Sequence, residues 1–556
     1  MHNRLSLLAA LLLSGASTLA AAHAAASSSP SPPSAATDAR LRSLEDELQD
    51  VNAQLADLKR SQSSQYDDVR KDLSGRPFFK FDNGRPTFSS ADGDFTLAIR
   101  TLVQADWGYY SQSAHAATLP AAFGPDLGSG TNFRRVYLGI QGKVFGDWSY
   151  NVNFDFGGSG GTETPGHIQS VYAQYDGLAP FAVRVGAYPP PASIEDGTSA
   201  GDTIFLERNS PSDLQRNIAG GDGRDSVSLL YLGDALFGAV SYTGNKIGDG
   251  AKSLAAAGAT ASPNFDEQQA VVGRVSDRFW HDDHSNFVVG VNGTYVIKPP
   301  DAVAHGQPTL ATTPGAAALN SITLSDPPEL TVDSNGITFA TTGSLPANHV
   351  TQWGAEAAGN WSSLYAQAGY YAFAVDRAPA ALTVFTAAAT SHAQVLQPSN
   401  DNFSGYYGQV SWFLTGEEKP YSVANGAFTA PKVIHPFGFG PDAGWGAFEL
   451  AGRYSDLDLN SHALDATNAI TGWTGGTQTH TFYNTARGGD QRILTGAINW
   501  YPNNFFKLAL QYQYVQVSRL QNPATVNTAV GGTPALPTVN GGQNLSTIAI
   551  RAQFAL

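Results

Sequence analysis

Two adjacent arginines, Arg134 and Arg135, open the stretch NFRRVYLGIQGKVF in a chain that is acidic overall. A guanidinium is planar, stays charged at any working pH, and carries a fork of donors that grips carboxylate or phosphate oxygens two at a time. Other cations fall on segments of the same kind: Lys143 in this stretch, Arg100 in TLAIRTLVQADWGYY, Arg274 in VVGRV and Arg453 in FELAGRYS. Positive charge fixed where a watery passage narrows selects permeant ions by sign. The candidate chemistry is therefore electrostatic recognition of small anions. Asp106 and Glu449 share the phase of these cations and could balance them. The plainer reading is that each arginine pairs with a carboxylate, ties down a loop and recognises nothing.

The elements that carry these residues alternate. Val136, Leu138, Ile140 and Val144 take every second position, with Arg135, Tyr137, Gln141 and Lys143 between them. Period two is a strand with two unlike faces. Arg134 is out of phase, which places it at a strand end or at a bulge. The same alternation opposes Leu97, Ile99, Val103 and Trp107 to Arg100, Gln104 and Asp106. It sets Trp148, Tyr150, Val152, Phe154 and Phe156 against Ser149, Asn151, Asn153 and Asp155. Phe448, Leu450 and Tyr454 oppose Glu449, Arg453 and Ser455; Leu508, Leu510, Tyr512 and Tyr514 oppose Lys507, Gln511 and Gln513. The last ten residues, TIAIRAQFAL, alternate through Ile548, Ile550, Phe554 and Leu556, which looks like an outer-membrane assembly signal. Alternating segments of about ten residues with aromatics near their ends are the pattern of a transmembrane antiparallel β-barrel. Residues 251–266 and 299–349 read as long loops, and DGLAP (176–180) and YPNN (501–504) as tight turns. A soluble sandwich or propeller also alternates, but no fixed-period repeat marks a propeller here.

Composition narrows the classes. The 556 residues carry 47 acidic and 32 basic side chains, a net charge of −15, against a nucleic-acid surface. With no cysteine there is no disulfide, thiolate or cysteine metal site. Residues 1–24 read as a signal peptide, with an apolar run at Leu5–Leu13 too short to span a bilayer. Residues 25–37 read as an Ala/Ser/Pro-rich tether. Over 38–73, Leu41, Leu44, Leu48, Val51, Leu55 and Leu58 step by threes and fours, an a/d heptad seam expected to self-associate as a periplasmic coiled coil. Residues 76–556 form the expected barrel.

Seven stretches, in order, resemble the phosphate- and polyphosphate-selective porin family, porins O and P. They are NFRRVYLGIQGKVFGDWSYNVNFDFGG, VRVGAYPPP with IFLERNSP, AVVGRVSDRFW, ANHVTQWGAEAAGNW, SGYYGQVSWFLTGEEKPY, WGAFELAGRYSDLDL and RILTGAINWYPNNFFKLALQYQYV. The resemblance implies a 16-stranded trimeric outer-membrane barrel with an inward-folded third loop and passive diffusion of anions past lysines and arginines. Arg208, within ERNSP, matches the family's arginine after that loop. One departure stands out: where the family carries a lysine after VRVG, this chain has Tyr188-Pro189-Pro190-Pro191, followed by Glu195 and Asp196. Added carboxylates there weaken phosphate attraction, since a misplaced charge a few ångströms from an ion costs about 1–4 kcal/mol at effective dielectrics of roughly 80 to 20.

The resulting expectation is an outer-membrane porin passing small anions such as phosphate or polyphosphate, not an enzyme. Its partners are outer-membrane lipid and lipopolysaccharide and two further copies of itself, with neither cofactor nor metal. The alternative is a general or cation-preferring porin whose heptads anchor the outer membrane to peptidoglycan. A lipid hydrolase would need a lipid-facing Ser/His pair that the sequence does not reveal. His281-Asp282-Asp283-His284 reads as a periplasmic hairpin turn rather than a metal site, and Asp222-Gly223-Arg224-Asp225 lacks a full calcium spacing.

Overall fold

The structure, a computed structural model, describes residues 35–73, 77–82, 84–112, 126–158, 166–247, 267–301, 320–385, 391–396, 398–440, 443–463, 469–474, 477–482, 486–520, 526–528 and 542–556. The expected signal peptide, most of the tether and the loop at 251–266 lie outside these residues. The chain divides into two units, 1–76 and 77–556. In the first, α1 (Ala35–Leu73) is a single helix that begins inside the expected tether. Its seam residues Leu44, Leu48, Val51, Leu55 and Leu58 are exposed. No helix among the described residues is long and apolar enough to cross a membrane.

The second unit is a closed antiparallel barrel of sixteen strands. They are β1 (Thr96–Gln112), β2 (Gly130–Val144), β3 (Trp148–Asp155), β4 (His167–Leu178), β5 (Phe181–Ala187), β6 (Arg224–Leu232), β7 (Leu236–Lys246), β8 (Gln269–His281), β9 (Ser285–Lys298), β10 (Ala340–Trp361), β11 (Leu364–Arg377), β12 (Asp401–Phe413), β13 (Ala447–Ser461), β14 (Ala486–Asn503), β15 (Phe506–Ser518) and β16 (Asn544–Ala555). Each pairs with the next, and β16 pairs with β1 from Leu545↔Gln112 to Ala555↔Leu102. No strand of the wall is left with an open edge, the condition for crossing hydrocarbon. A hairpin over Phe78–Asp82 and Arg85–Ser89 pairs only with the first residues of β1.

The alternation read from the sequence separates the two faces. Leu138, Ile140, Leu450, Tyr454, Leu510 and Tyr512 are exposed, whereas Arg135, Glu449, Arg453, Gln511 and Gln513 are buried. Large apolar side chains left exposed on one side of most of the strands are what a lipid-facing surface requires.

The two ends differ. Six connections at one end have two or three residues: 145–147, 179–180, 233–235, 282–284, 362–363 and 504–505. His281-Asp282-Asp283-His284 forms one of these turns, with His284 Nδ1 2.6 Å from Glu418 Oε1. The seventh, 414–446, is long, an exception to the expected short turns at that end. The stretch 299–349 is not one loop: Ser321–Asp326 pairs with the start of β10, and the strand itself begins at Ala340. Ile322 and Leu324 do alternate with Ser321, Thr323 and Ser325, but the run is only six residues long and is followed at once by Pro327 and Pro328, which hid the hairpin in a loop-like stretch.

If the outward phase meets hydrocarbon, Leu494→Arg in the middle of β14 destabilises the barrel by about 2–4 kcal/mol. Urea unfolding in lipid–detergent micelles measures it; an unchanged midpoint would place that face in water.

Candidate functional site

Arg134 and Arg135 reach the same side of β2 through a bulge. Gln104 pairs with Arg135 and Ala105 with Phe133, so Arg134 is the extra residue. Asp155 caps the disturbance, its Oδ1 accepting from Val136 N at 2.9 Å and Gly157 N at 2.8 Å. Both guanidiniums are buried, 7 % and 6 % exposed.

Both turn to Glu207, in the long connection between β5 and β6. Arg134 Nε lies 2.7 Å from Glu207 Oε1, and Arg135 Nη2 lies 3.4 Å from Oε2. Arg551 on β16 adds a third contact at 3.2 Å while gripping Asp106 through both carboxylate oxygens at 2.7 Å. Burial pushes the Glu207 carboxyl pKa up, but the guanidiniums of Arg134, Arg135 and Arg551 outweigh it and hold the group well below the usual range. Arg453 donates to the Glu207 carbonyl at 2.9 Å, pairs with Glu329 and lies over the Phe205 ring at 4.4 Å.

The 188–223 connection packs on inward-facing side chains around the wall. Ile194 N donates to Glu356 on β10, Leu206 N to Gln511 on β15, and Lys507 Nζ to the Thr203 carbonyl. Within it lie the short helix α2 (Ile194–Gly197) and α3 (Ser210–Ala219), the latter capped by Asn209 Oδ1 on Ser212 N. Two other segments reach the same faces. Glu329 accepts from Ser210 N and Ser455, and Arg274 donates to the Gly426 carbonyl.

Arg100, Arg184, Arg208 and Arg216 line one cavity of about 200 Å³. Its carboxylates are Asp196 and Asp222, and Arg216 bonds both at 2.6 Å. The other three cations form no ion pair among the described residues. Arg208 donates only to the carbonyls of Glu195 (3.3 Å) and Thr198 (3.2 Å). Arg100 Nη2 sits 3.5 Å from Ser199 Oγ. Arg184 donates to Gln174 at 2.7 Å and lies over Tyr172 and Tyr188 at 4.5 and 5.3 Å. Four guanidiniums against two carboxylates leave a formal excess of two positive charges.

The expected residues therefore separate. Arg100 and Arg208 meet at the cavity. Arg134, Arg135 and Arg453 engage carboxylates of the connections. Arg274 is sealed against Glu356 at 2.6 Å. Lys143 is exposed at the end of β2, next to the 145–147 turn, and does not line the cavity. Asp106 is neutralised by Arg551, whereas Glu449 accepts from Asn499 and Tyr501, each at 2.8 Å. The carboxylates of the departure are also occupied: Asp196 by Arg216, and Glu195 by Gln367 at 3.0 Å. Arg184, Arg216 and Arg551 were not singled out from the sequence, which offers Glu207 only as a neighbour of Arg208 suited to pairing with other loop groups. Alternation did hold the signal for Arg184 in AVRVGA and Arg551 in AIRAQ; Arg216 sits on an inserted helix with no such signal.

Glu207→Ala removes the carboxylate that Arg134, Arg135 and Arg551 share. The expected cost is about 3–5 kcal/mol, read as a lowered urea midpoint, with Glu207→Gln recovering part of it.

Three comparisons bear on this arrangement. The model of the family described as phosphate-selective porin O and P matches residues 124–535. Porin O of Pseudomonas aeruginosa is 22% identical over 451 residues, 78% of this chain and 86% of its own length. Among solved structures, OmpT of Vibrio cholerae, an outer membrane protein in trimer form, covers 83% of this chain and 99% of its own at 9% identity and a TM-score of 0.39. An anion-selective porin from Comamonas acidovorans covers 83% and 99% at 11% identity and a TM-score of 0.40. A closed barrel with an apolar outer face, matched by one family model over most of its length, is an outer-membrane channel and not an enzyme; the chain belongs to the phosphate-selective porin O and P family.

Proposed function

We propose that this porin passes small anions, phosphate or polyphosphate among them, by passive diffusion through a lumen narrowed by the 188–223 connection and lined by arginines. The observation that carries the reading is the cavity at which Arg100, Arg184 and Arg208 remain without carboxylate partners. A guanidinium about 4 Å from an anion contributes roughly 1–4 kcal/mol of Coulomb attraction at dielectrics of 80 to 20. The buried pairs around Glu207, Glu329 and Glu356 are scaffold. They hold the connection against the wall, while the three remaining arginines meet the permeant. The description of the matching family as phosphate-selective supports this sign of charge.

The functional unit is a trimer with the short turns toward the periplasm, and α1 is its coiled coil there. The exposed stripe of leucines at heptad spacing supports this reading, since copies of the helix would bury it.

In planar bilayers under a salt gradient, the reversal potential should have the sign of anion preference, and conductance should saturate with phosphate. The variant Arg100→Gln/Arg208→Gln lowers the anion-to-cation permeability ratio roughly tenfold, the equivalent of about 1.4 kcal/mol. Cation preference in the unaltered protein would sink the proposal. Separately, Leu48→Asp/Leu55→Asp on α1 abolishes helical self-association of a 35–73 peptide in sedimentation equilibrium; an unchanged oligomer refutes the coiled coil.

A further inference from the structure

The one long connection at the short-turn end has two limbs on opposite sides of the wall. The first limb runs inside. Phe428 and Ala427 are buried with Ile194, Phe205 and Tyr365, and Lys419 Nζ donates to the Asp202 carbonyl at 2.9 Å. Val433 still packs on the inward-facing Phe413, Ala447 and Tyr501. Its amide donates to Asn504 Oδ1 at 2.8 Å, in the turn between β14 and β15.

Four residues later the chain is outside. Phe437 N donates to the Pro502 carbonyl at 2.8 Å, and the Phe437 ring meets Trp500 edge-on at 5.5 Å. Trp500 and Phe448 belong to the outward phase of β14 and β13 and stack on each other at 6.1 Å. The Trp500 indole donates to the Trp445 carbonyl at 2.7 Å, fastening the return limb to the wall. The limb then presents two rings to the surroundings: Phe439 is 98 % exposed and Trp445 74 %. From 434 to 446 the sequence IHPFGFGPDAGWG carries one acidic and no lysine or arginine side chain. It continues an outward band at the same end that includes Trp148, Trp361 and Trp412.

We propose that residues 434–440 and 443–446 belong to a membrane finger whose Phe437, Phe439 and Trp445 rings enter the phospholipid leaflet bordering the short-turn end. The Trp445 indole, an apolar ring with one polar handle, suits the boundary of headgroups and acyl chains, the purely apolar Phe437 and Phe439 rings suit the acyl side of it, and the limb is continuous with the face already turned to lipid. The inference rests on the barrel crossing a membrane and is independent of ion selectivity.

The absence of cysteine allows a direct test. Phe439→Cys in the full chain takes a single environment-sensitive fluorophore; Lys432→Cys, exposed on the inner limb before the crossing, is the control. Each is reconstituted in phosphatidylethanolamine–phosphatidylglycerol vesicles, with and without bromine on the acyl chains. Brominated lipid should quench the label at 439 roughly twofold or more, as for a group at the interface, and leave the label at 432 unchanged. Quenching at 439 by aqueous iodide but not by brominated lipid would overturn the proposal. So would protection from both quenchers with crosslinking between copies, which would make the limb a protomer contact. The fold control is unchanged single-channel conductance of both labelled proteins.

Discussion

Every feature of this molecule depends on one requirement: in hydrocarbon a backbone amide has no water to bond. Sixteen strands meet it by closing the ladder, so that β16 donates to β1 and no edge remains. Closure creates an inside and an outside, and period two then sorts each strand's side chains between them. The same residue types would be unremarkable on an open sheet. On a cylinder, the polar phase becomes an enclosed surface on which charge cannot be diluted by bulk solvent.

That enclosure sets the charge balance of the interior. Buried guanidiniums need partners, and most have them: Arg274 with Glu356, Arg453 with Glu329, Arg551 with Asp106, and Arg134 and Arg135 with Glu207. The carboxylates Glu207 and Glu329 come from connections rather than from the wall. Ion pairing thus does structural work, pinning irregular chain to a regular cylinder. Beyond this balance stand Arg100, Arg184 and Arg208 at the cavity, which form no ion pair among the described residues.

Much of this was legible from single residues. The alternation of β2 and β15 showed their faces directly, and the phase error at Arg134 pointed to a strand end or a bulge, of which the register shows the bulge. What periodicity could not show was chain that is neither strand nor turn. Glu329 and Glu207 sit in segments whose conformation is dictated by the wall they pack on, so no local pattern reveals them. The seventh connection of the short-turn end was missed for the same reason: SWFLTGE and WGAFELAG mark its flanks, but nothing between them shows that it crosses the rim. Arg184 and Arg551 were readable by phase, yet a lumenal phase alone does not separate a free cation from a paired one.

The bulge at Arg134 has an evolutionary corollary. Because Arg134 is supernumerary, Phe133 and Asn132 keep the orientations they would have in an unbroken ladder. Losing or gaining that one codon would remove or add a lumenal charge without turning the rest of the strand inside out. A lineage can therefore lose or gain this anchor of the 188–223 connection by a single in-frame triplet, a step that elsewhere in the wall would invert a whole strand.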